Sequence, residues 1–278
     1  MFLAGRRWYV PGMSRRIELA GTCNFRDLGG YATAQGARVR PGLLFRSDNL
    51  SGLKRQAYSM FCALGIRTVV DLRTAHERGT RPNRLPRDAR VQISHAPIAI
   101  VPELEKRWSA MERLRFLFGG HLARFDSAFL EEAYRALPAR AAPALGHIFS
   151  LLAKRDQAPM LVLCMGGKDR TGFCVAMILC ALGVHQETVM EDYCHTNVCA
   201  KDRVDRVLAA LRFVSKVRFG GRAVREKNLR AFLEARPEYL EAALAEVRRS
   251  YGSVEGYLNG PVGLAQQARE GLRSWLLE

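Results

Sequence analysis

This 278-residue chain has no long apolar run. The longest, Phe173 to Val184, covers 12 residues, enough for one buried helix where a bilayer span takes about 20. No transmembrane segment is therefore expected. Lysine is scarce, with 7 against 36 arginines, yet the net charge is +16. No block of five or six like charges occurs, which argues against a nucleic-acid tail and any specific nucleic-acid partner. A basic surface still attracts anions, an anionic membrane surface among them.

The 7 cysteines include no Cys-x-x-Cys pair, which argues against a disulfide scaffold and points to reduced thiols. Cys194, His195 and Cys199 approach a metal spacing. On a helix, however, His195 points about 100° away from Cys194, and no second pair completes four ligands. Neither metal nor cofactor is expected. Residues 1–16 are basic and lack the apolar stretch of a secretory signal. They read as a tail, and the location as cytoplasmic or secreted without a recognisable signal peptide.

Strand-like and helix-like segments alternate along the rest. NFRDLGGY (24–31) reads as a short strand or turn, and LLFRS (43–47) as a strand leading to a helix capped near Ser51. Residues 53–64 look helical, and IRTVVDLR (66–73) is a buried strand. TAHERGTRPNRLPRD is a polar loop, and 91–98 is a further strand. Helical periodicity covers 103–136, broken by Gly119-Gly120, and then 143–154. Met160 to Leu163 is a short strand, and Thr171 to Leu182 is a helix stopped by Gly183. More helix is expected at 186–215, 222–235, 237–251 and 261–277. The alternation predicts an α/β fold with a central, mostly parallel sheet flanked by helices. In such sheets the site lies at the carboxyl ends of the strands, where Arg46, Asp71 to Arg73 and Cys164 fall.

The stretch LVLCMGGKDRTG (161–172) joins a strand to a helix N-terminus, whose unpaired N–H groups and dipole favour an anion. Gly166 and Gly167 allow a tight loop with inward N–H groups. Arg170 adds a planar fork suited to phosphate, and the peptides of Met165 and Gly172 complete the frame. The same positive field favours a thiolate at Cys164. The simplest chemistry is attack by that sulfur on phosphorus, giving a phosphocysteine that water hydrolyses. Thr171 is placed to hydrogen-bond the sulfur as it leaves. The loop is not a nucleotide-binding phosphate loop of the Walker type, because Lys168 is followed by Asp169.

A leaving alkoxide or phenoxide needs a proton donor. No Trp-Pro-Asp tripeptide occurs, so the separate acid loop of tyrosine phosphatases is not visible. Asp169 in the loop is the favoured acid. Asp71 is the alternative, its other role being to hold Arg73 or Arg170 in place. Lys168 is a second cation at the rim, suited to a second substrate phosphate.

Cys164-Met-Gly-Gly-Lys-Asp-Arg-Thr-Gly resembles the signature of the PtpB-like atypical bacterial tyrosine and dual-specificity phosphatases, a group that includes phosphoinositide phosphatases. Asn24-Phe-Arg-Asp-Leu-Gly-Gly30, Leu44-Phe-Arg-Ser47, Gly65 to Arg73 with Glu77-Arg78, and Tyr251 to Tyr257 extend the likeness over about 17–277. The resemblance implies a single phosphatase domain, 17–278, with a helical lid at about 200–236. It makes Cys164 the nucleophile, Arg170 the phosphate binder, Asp169 the acid and Asp71 a supporting carboxylate. It links Lys168 to phosphoinositide activity. The implied partners are phosphorylated proteins or phosphoinositides, and Arg46 and Arg73 would add contacts to the phosphate. Family members usually carry His before the cysteine, where this chain has Leu163. That change predicts a less strongly activated thiol. Two other readings stay open, a phosphate-binding module without turnover and thiol redox or arsenate chemistry on the same loop.

Overall fold

Three short parallel strands end level with one another, and that sets the geometry of the molecule. A computed structural model describes residues 15–100, 127–218 and 226–278. Its strands are β1 (Arg26–Asp27), β2 (Leu44–Ser47), β3 (Thr68–Asp71), β4 (Gln92–His95) and β5 (Met160–Leu163), in the order β1-β2-β5-β3-β4. β1 runs antiparallel to β2, and every other pair is parallel. Leu163 pairs with Ser47 on one side and with Asp71 on the other. The loops leaving β2, β3 and β5 therefore start from one row.

β5 is buried on both faces, as a central parallel strand must be. Its alternating side chains divide the core. Leu161 and Leu163 face a smaller layer with Leu19, Phe25, Phe45, Leu50 and Phe61. Met160, Val162 and Cys164 face the main layer of helices. Leu163 is thus a fully buried core residue on the opposite face of the strand from Cys164.

The helices are α1 (Tyr58–Ala63), α2 (Ala75–Thr80), α3 (Ser127–Arg135), α4 (Leu137–Leu152) and α5 (Asp169–Leu182). They continue as α6 (Gln186–Arg218), α7 (Glu226–Leu233), α8 (Pro237–Tyr251), α9 (Val254–Asn259) and α10 (Gln266–Leu276). α5 is buried on nearly every side, and Gly183 ends it in a left-handed conformation with φ +87°. α4 starts six residues earlier than the 143 expected, because Pro138 suits the first helical turn. Most of the periodicity at 103–136 lies outside the described residues, and its last turns form α3.

Two expectations change. Residues after β3, read as loop, contain α2, opened by a capping box in which Thr74 and Glu77 satisfy each other's backbone N–H. The turn near Ser51 is capped by Asn49, whose side chain accepts from Ser51 N–H. Residues 1–14 lie outside the described residues, but Arg16 bridges Arg26 and Arg15 packs 3.9 Å over the Tyr31 ring.

Leu163→Ala removes three buried carbons from the smaller layer. Stability should fall by about 2–5 kcal/mol, read by equilibrium urea denaturation.

Candidate active site

The loop from Cys164 to Arg170 is tied down from outside through its carbonyl oxygens. Asn49 Nδ2 donates to Met165 O at 2.8 Å. Asn24 Nδ2 reaches Gly167 O at 2.8 Å and Gly166 O at 3.4 Å. Arg46 Nη2 holds Gly167 O at 2.7 Å, and Arg203 Nη2 holds Gly166 O at 3.3 Å. In a trans peptide the N–H points opposite to the C=O. The N–H groups of Gly166, Gly167 and Lys168 therefore face inward, and Gly167 N–H donates to Cys164 Sγ at 3.2 Å. Gly167 has φ +65°, and a Cβ there would lie 2.6 Å from Ser47 O and Asp48 N. Only glycine fits that turn.

Arg170 opens α5. Its Nη1 and Nη2 each donate to one oxygen of Glu77 at 2.6 Å, and Nη1 also reaches Leu72 O and Ile98 O at 3.4 and 3.3 Å. Its Nε is buried with no hydrogen-bond partner among the described residues. Of five guanidinium N–H groups, Nε–H and the second Nη2 proton stay unused on one edge, a fork for two oxygens of a tetrahedral anion. Burial opposes the charge on Arg170, but the hydrogen bonds and carboxylate of Glu77 outweigh it and hold the guanidinium protonated beyond its ordinary range. Burial also pushes the Glu77 carboxyl up. The hydrogen bonds and charge of Arg170 win, and the carboxyl lies below its usual value.

Cys164 is buried at the floor of a cavity of about 410 Å³. Met165, Gly166, Lys168, Asp169 and Arg170 line it with Cys164. Ile100, Leu130, Tyr134 and Phe232 form apolar walls, Arg81 and Arg203 bring cationic side chains, and His76 adds an imidazole. α6 and α7 roof one side, sharing an apolar seam of Ala200, Val204, Leu208 and Leu229. The segment drawn as a lid, 200–236, falls on these helices, and its residues 219–225 lie outside the described ones.

Lys168 is not a free cation at the rim. Its Nζ donates to Phe232 O at 2.5 Å and Glu234 O at 3.2 Å, and lies 3.2 Å from Asp169 Oδ1. Two of its three ammonium protons have carbonyl acceptors, and the Asp169 carboxylate adds a charge contact. Thr171 is fully buried, and its Oγ1 makes no hydrogen bond to Cys164 or to any other described residue. Gly172 serves packing, since a Cβ there would sit 2.8 Å from the Tyr193 ring.

Six expected site residues stay out of the cavity lining: Gly167 in the loop, Thr171 and Gly172 just after it, and Arg46, Asp71 and Arg73 at strand ends. Arg46 is fully buried beneath the loop, paired with Asp192. It sits one residue before the end of β2, so it reaches the loop from below. Asp71 accepts from Arg73 Nε at 2.9 Å, Arg73 Nη2 at 2.7 Å and Asn83 Nδ2 at 3.1 Å. Arg73 also donates to Arg81 O at 2.6 Å. Both side chains are thereby spent on bracing the β3–α2 turn. Under the loop, Arg26, Arg46 and Tyr31 converge on Asp192. Burial would raise that carboxyl, but the two guanidinium charges hold it far below its ordinary value.

Glu77, Asn24, Asn49 and Arg203 do work that sequence reasoning did not assign. Glu77 was detectable from the Thr-x-x-Glu spacing of the capping box. The others carry no local signal.

The comparisons decide the family. A family model for the tyrosine phosphatase family matches residues 17–278. The chain belongs to that family. It is 32% identical over 282 residues to the triple specificity protein phosphatase PtpB of Mycobacterium tuberculosis, covering 94% of this chain and 98% of that one. A Cupriavidus necator protein named as a candidate tyrosine-protein phosphatase is 31% identical over 84% of this chain and 80% of its own length. A tyrosine-protein phosphatase of Nostoc commune is 24% identical over 82% and 72%. Among the described residues no helix is long and apolar enough to cross a membrane, and no cluster of side chains suits a metal ion.

Glu77→Gln keeps the shape but removes the charge that holds Arg170. The folded-state value of Glu77 lies below its ordinary 4.5, so its contribution is full above that pH and is lost as pH falls through the folded value. The variant should be about 1–3 kcal/mol less stable than wild type at neutral pH. That gap should shrink below about pH 4.5, measured by denaturant titration across pH.

Proposed function

We propose that this tyrosine phosphatase hydrolyses phosphate monoesters through a phosphocysteine on Cys164. The observation that carries the reading is the pair of unused Arg170 donors beside inward N–H groups over Cys164 Sγ. A phosphate dianion would occupy that cradle. The thiolate attacks phosphorus, the P–O ester bond breaks, and Asp169 gives its proton to the leaving oxygen. Asp169 then takes a proton from water as that water attacks phosphorus. The P–S bond breaks, and inorganic phosphate and the thiolate are released.

The apolar walls at Ile100, Leu130, Tyr134 and Phe232 suit the ring of a phosphotyrosine. The cationic side of the cavity suits phosphoinositide monoesters as well, and the triple specificity in the name of the M. tuberculosis relative supports a range wider than phosphotyrosine. Lys168 would turn toward a second phosphate against the hold of its two carbonyl acceptors. α6 and α7 serve as a lid over the cavity. The +16 charge supports contact with an anionic membrane surface when the substrate is a lipid. Cys174 does not favour a redox reading, because it is fully buried in α5 and burial holds its thiol well above the ordinary range.

A panel assay tests this reading with phosphotyrosine peptide, phosphothreonine peptide and phosphoinositide vesicles. Cys164→Ser should reduce turnover of every substrate to background, and a variant that kept the wild-type rate would remove Cys164 as nucleophile. Lys168→Ala should lower kcat/KM for phosphoinositides by about tenfold, the order of one charge-assisted contact, with a smaller effect on phosphotyrosine.

A further inference from the structure

Asp169 does not stand alone. Its Oδ1 accepts from the hydroxyl of Tyr134 on α3 at 2.6 Å, and the Tyr134 hydroxyl lies 2.7 Å from that of Tyr193 on α6. Lys168 Nζ adds a third contact to the arrangement, 3.2 Å from Oδ1. A carboxylate only accepts hydrogen bonds. Tyr134 must therefore spend its one proton on Asp169, and Tyr193 must donate to Tyr134. The direction of the chain is fixed: Tyr193 to Tyr134 to Asp169. Both rings are buried, with Tyr134 against Tyr239 at 5.5 Å and edge-on to Tyr193 at 6.3 Å. Neither hydroxyl can swing away.

We propose that Tyr134, backed by Tyr193, is a positioning residue for Asp169 that reserves Oδ1 and leaves Oδ2 as the oxygen that carries the catalytic proton. Oδ2 has no hydrogen bond among the described residues, and Asp169 lines the cavity. With Oδ1 accepting from Tyr134 and facing the Lys168 ammonium, a proton on Asp169 belongs on Oδ2, where a leaving oxygen can take it. Hydrogen bonds arranged in a row polarise one another, so the second tyrosine strengthens the first. Burial and the charge of Asp169 hold the Tyr134 phenol well above its ordinary range, and burial does most to raise that of Tyr193. Both remain donors at any pH at which the enzyme would work. This inference rests on the reading of Asp169 as the proton donor.

The test uses the full chain and a series of aryl phosphates from dinitrophenyl to unsubstituted phenyl. A good leaving group needs little help from an acid, and a poor one needs it fully. Tyr134→Phe should lower kcat/KM for phenyl phosphate about tenfold, part of the roughly 10²–10⁴-fold that a general acid contributes, and that for dinitrophenyl phosphate by less than about twofold. Tyr193→Phe should give the same tilt at smaller size, and Asp169→Asn the same tilt at larger size. A merely structural tyrosine would lower all substrates alike. If Asp169→Asn is steep across the series while Tyr134→Phe is parallel to wild type, the positioning role is overturned and the acid assignment stands. If Asp169→Asn is itself flat, the acid assignment falls and this inference with it. Tyr134→Phe leaves the Tyr193 hydroxyl buried without an acceptor. Should that variant not fold, Tyr134→Phe with Tyr193→Phe removes both hydroxyls and carries the same comparison.

Discussion

The outward anchoring of three carbonyl oxygens, those of Met165, Gly166 and Gly167, is the constraint on which the site depends. Each peptide has two ends. Unless the oxygen is held outside, it is free to turn into the cavity and repel an anion. Asn24, Asn49, Arg46 and Arg203 prevent that. The segment from Asn24 to Asn49 is therefore as much a part of the site as the loop itself, although of its residues only Asn49 lines the cavity.

These anchors need support of their own. Arg46 and Arg26 are fully buried, and a buried unpaired charge is costly. Asp192 compensates both, with Tyr31 adding a hydrogen bond. Two cations on one carboxylate leave a net positive charge beneath the loop, which adds to the field of the α5 N-terminus. Above the loop the balance differs. Glu77 takes only one end of Arg170 and leaves the other edge to the cavity. Pairing there orients the cation without occupying every donor.

Leu163 shows how a family comparison and a structure divide the work. As a departure from the family pattern it raised doubt about the thiol. In the fold it completes a layer of Leu19, Phe25 and Phe45 on the far side of β5. Arg46, Arg73 and Asp71 show the opposite case. Charged residues at strand ends looked like site residues, but the level ends of β2, β3 and β5 place them below the cavity or inside the β3–α2 turn. Strand alternation was legible from the sequence, whereas the exact row at which each strand stops was not. Glu77 was legible as a helix cap. Its second role required knowing that α2 lies against the start of α5.

The sequence alone determined the alternation of strands and helices and the gathering of a thiol, a carboxylate and two cations on the glycine loop at 164–172. These are local properties, set by apolar period, glycine placement and the chemistry of adjacent side chains. Only the tertiary structure decided which distant residues turn that loop into a site: Asn24, Asn49, Glu77, Tyr134, Tyr193 and Arg203. Their contacts with the loop and with one another bridge 35 to 143 residues of chain, the 59-residue step between the two tyrosines among them. No local pattern encodes such contacts. They arise when burial of both faces of β5 brings the surrounding elements together.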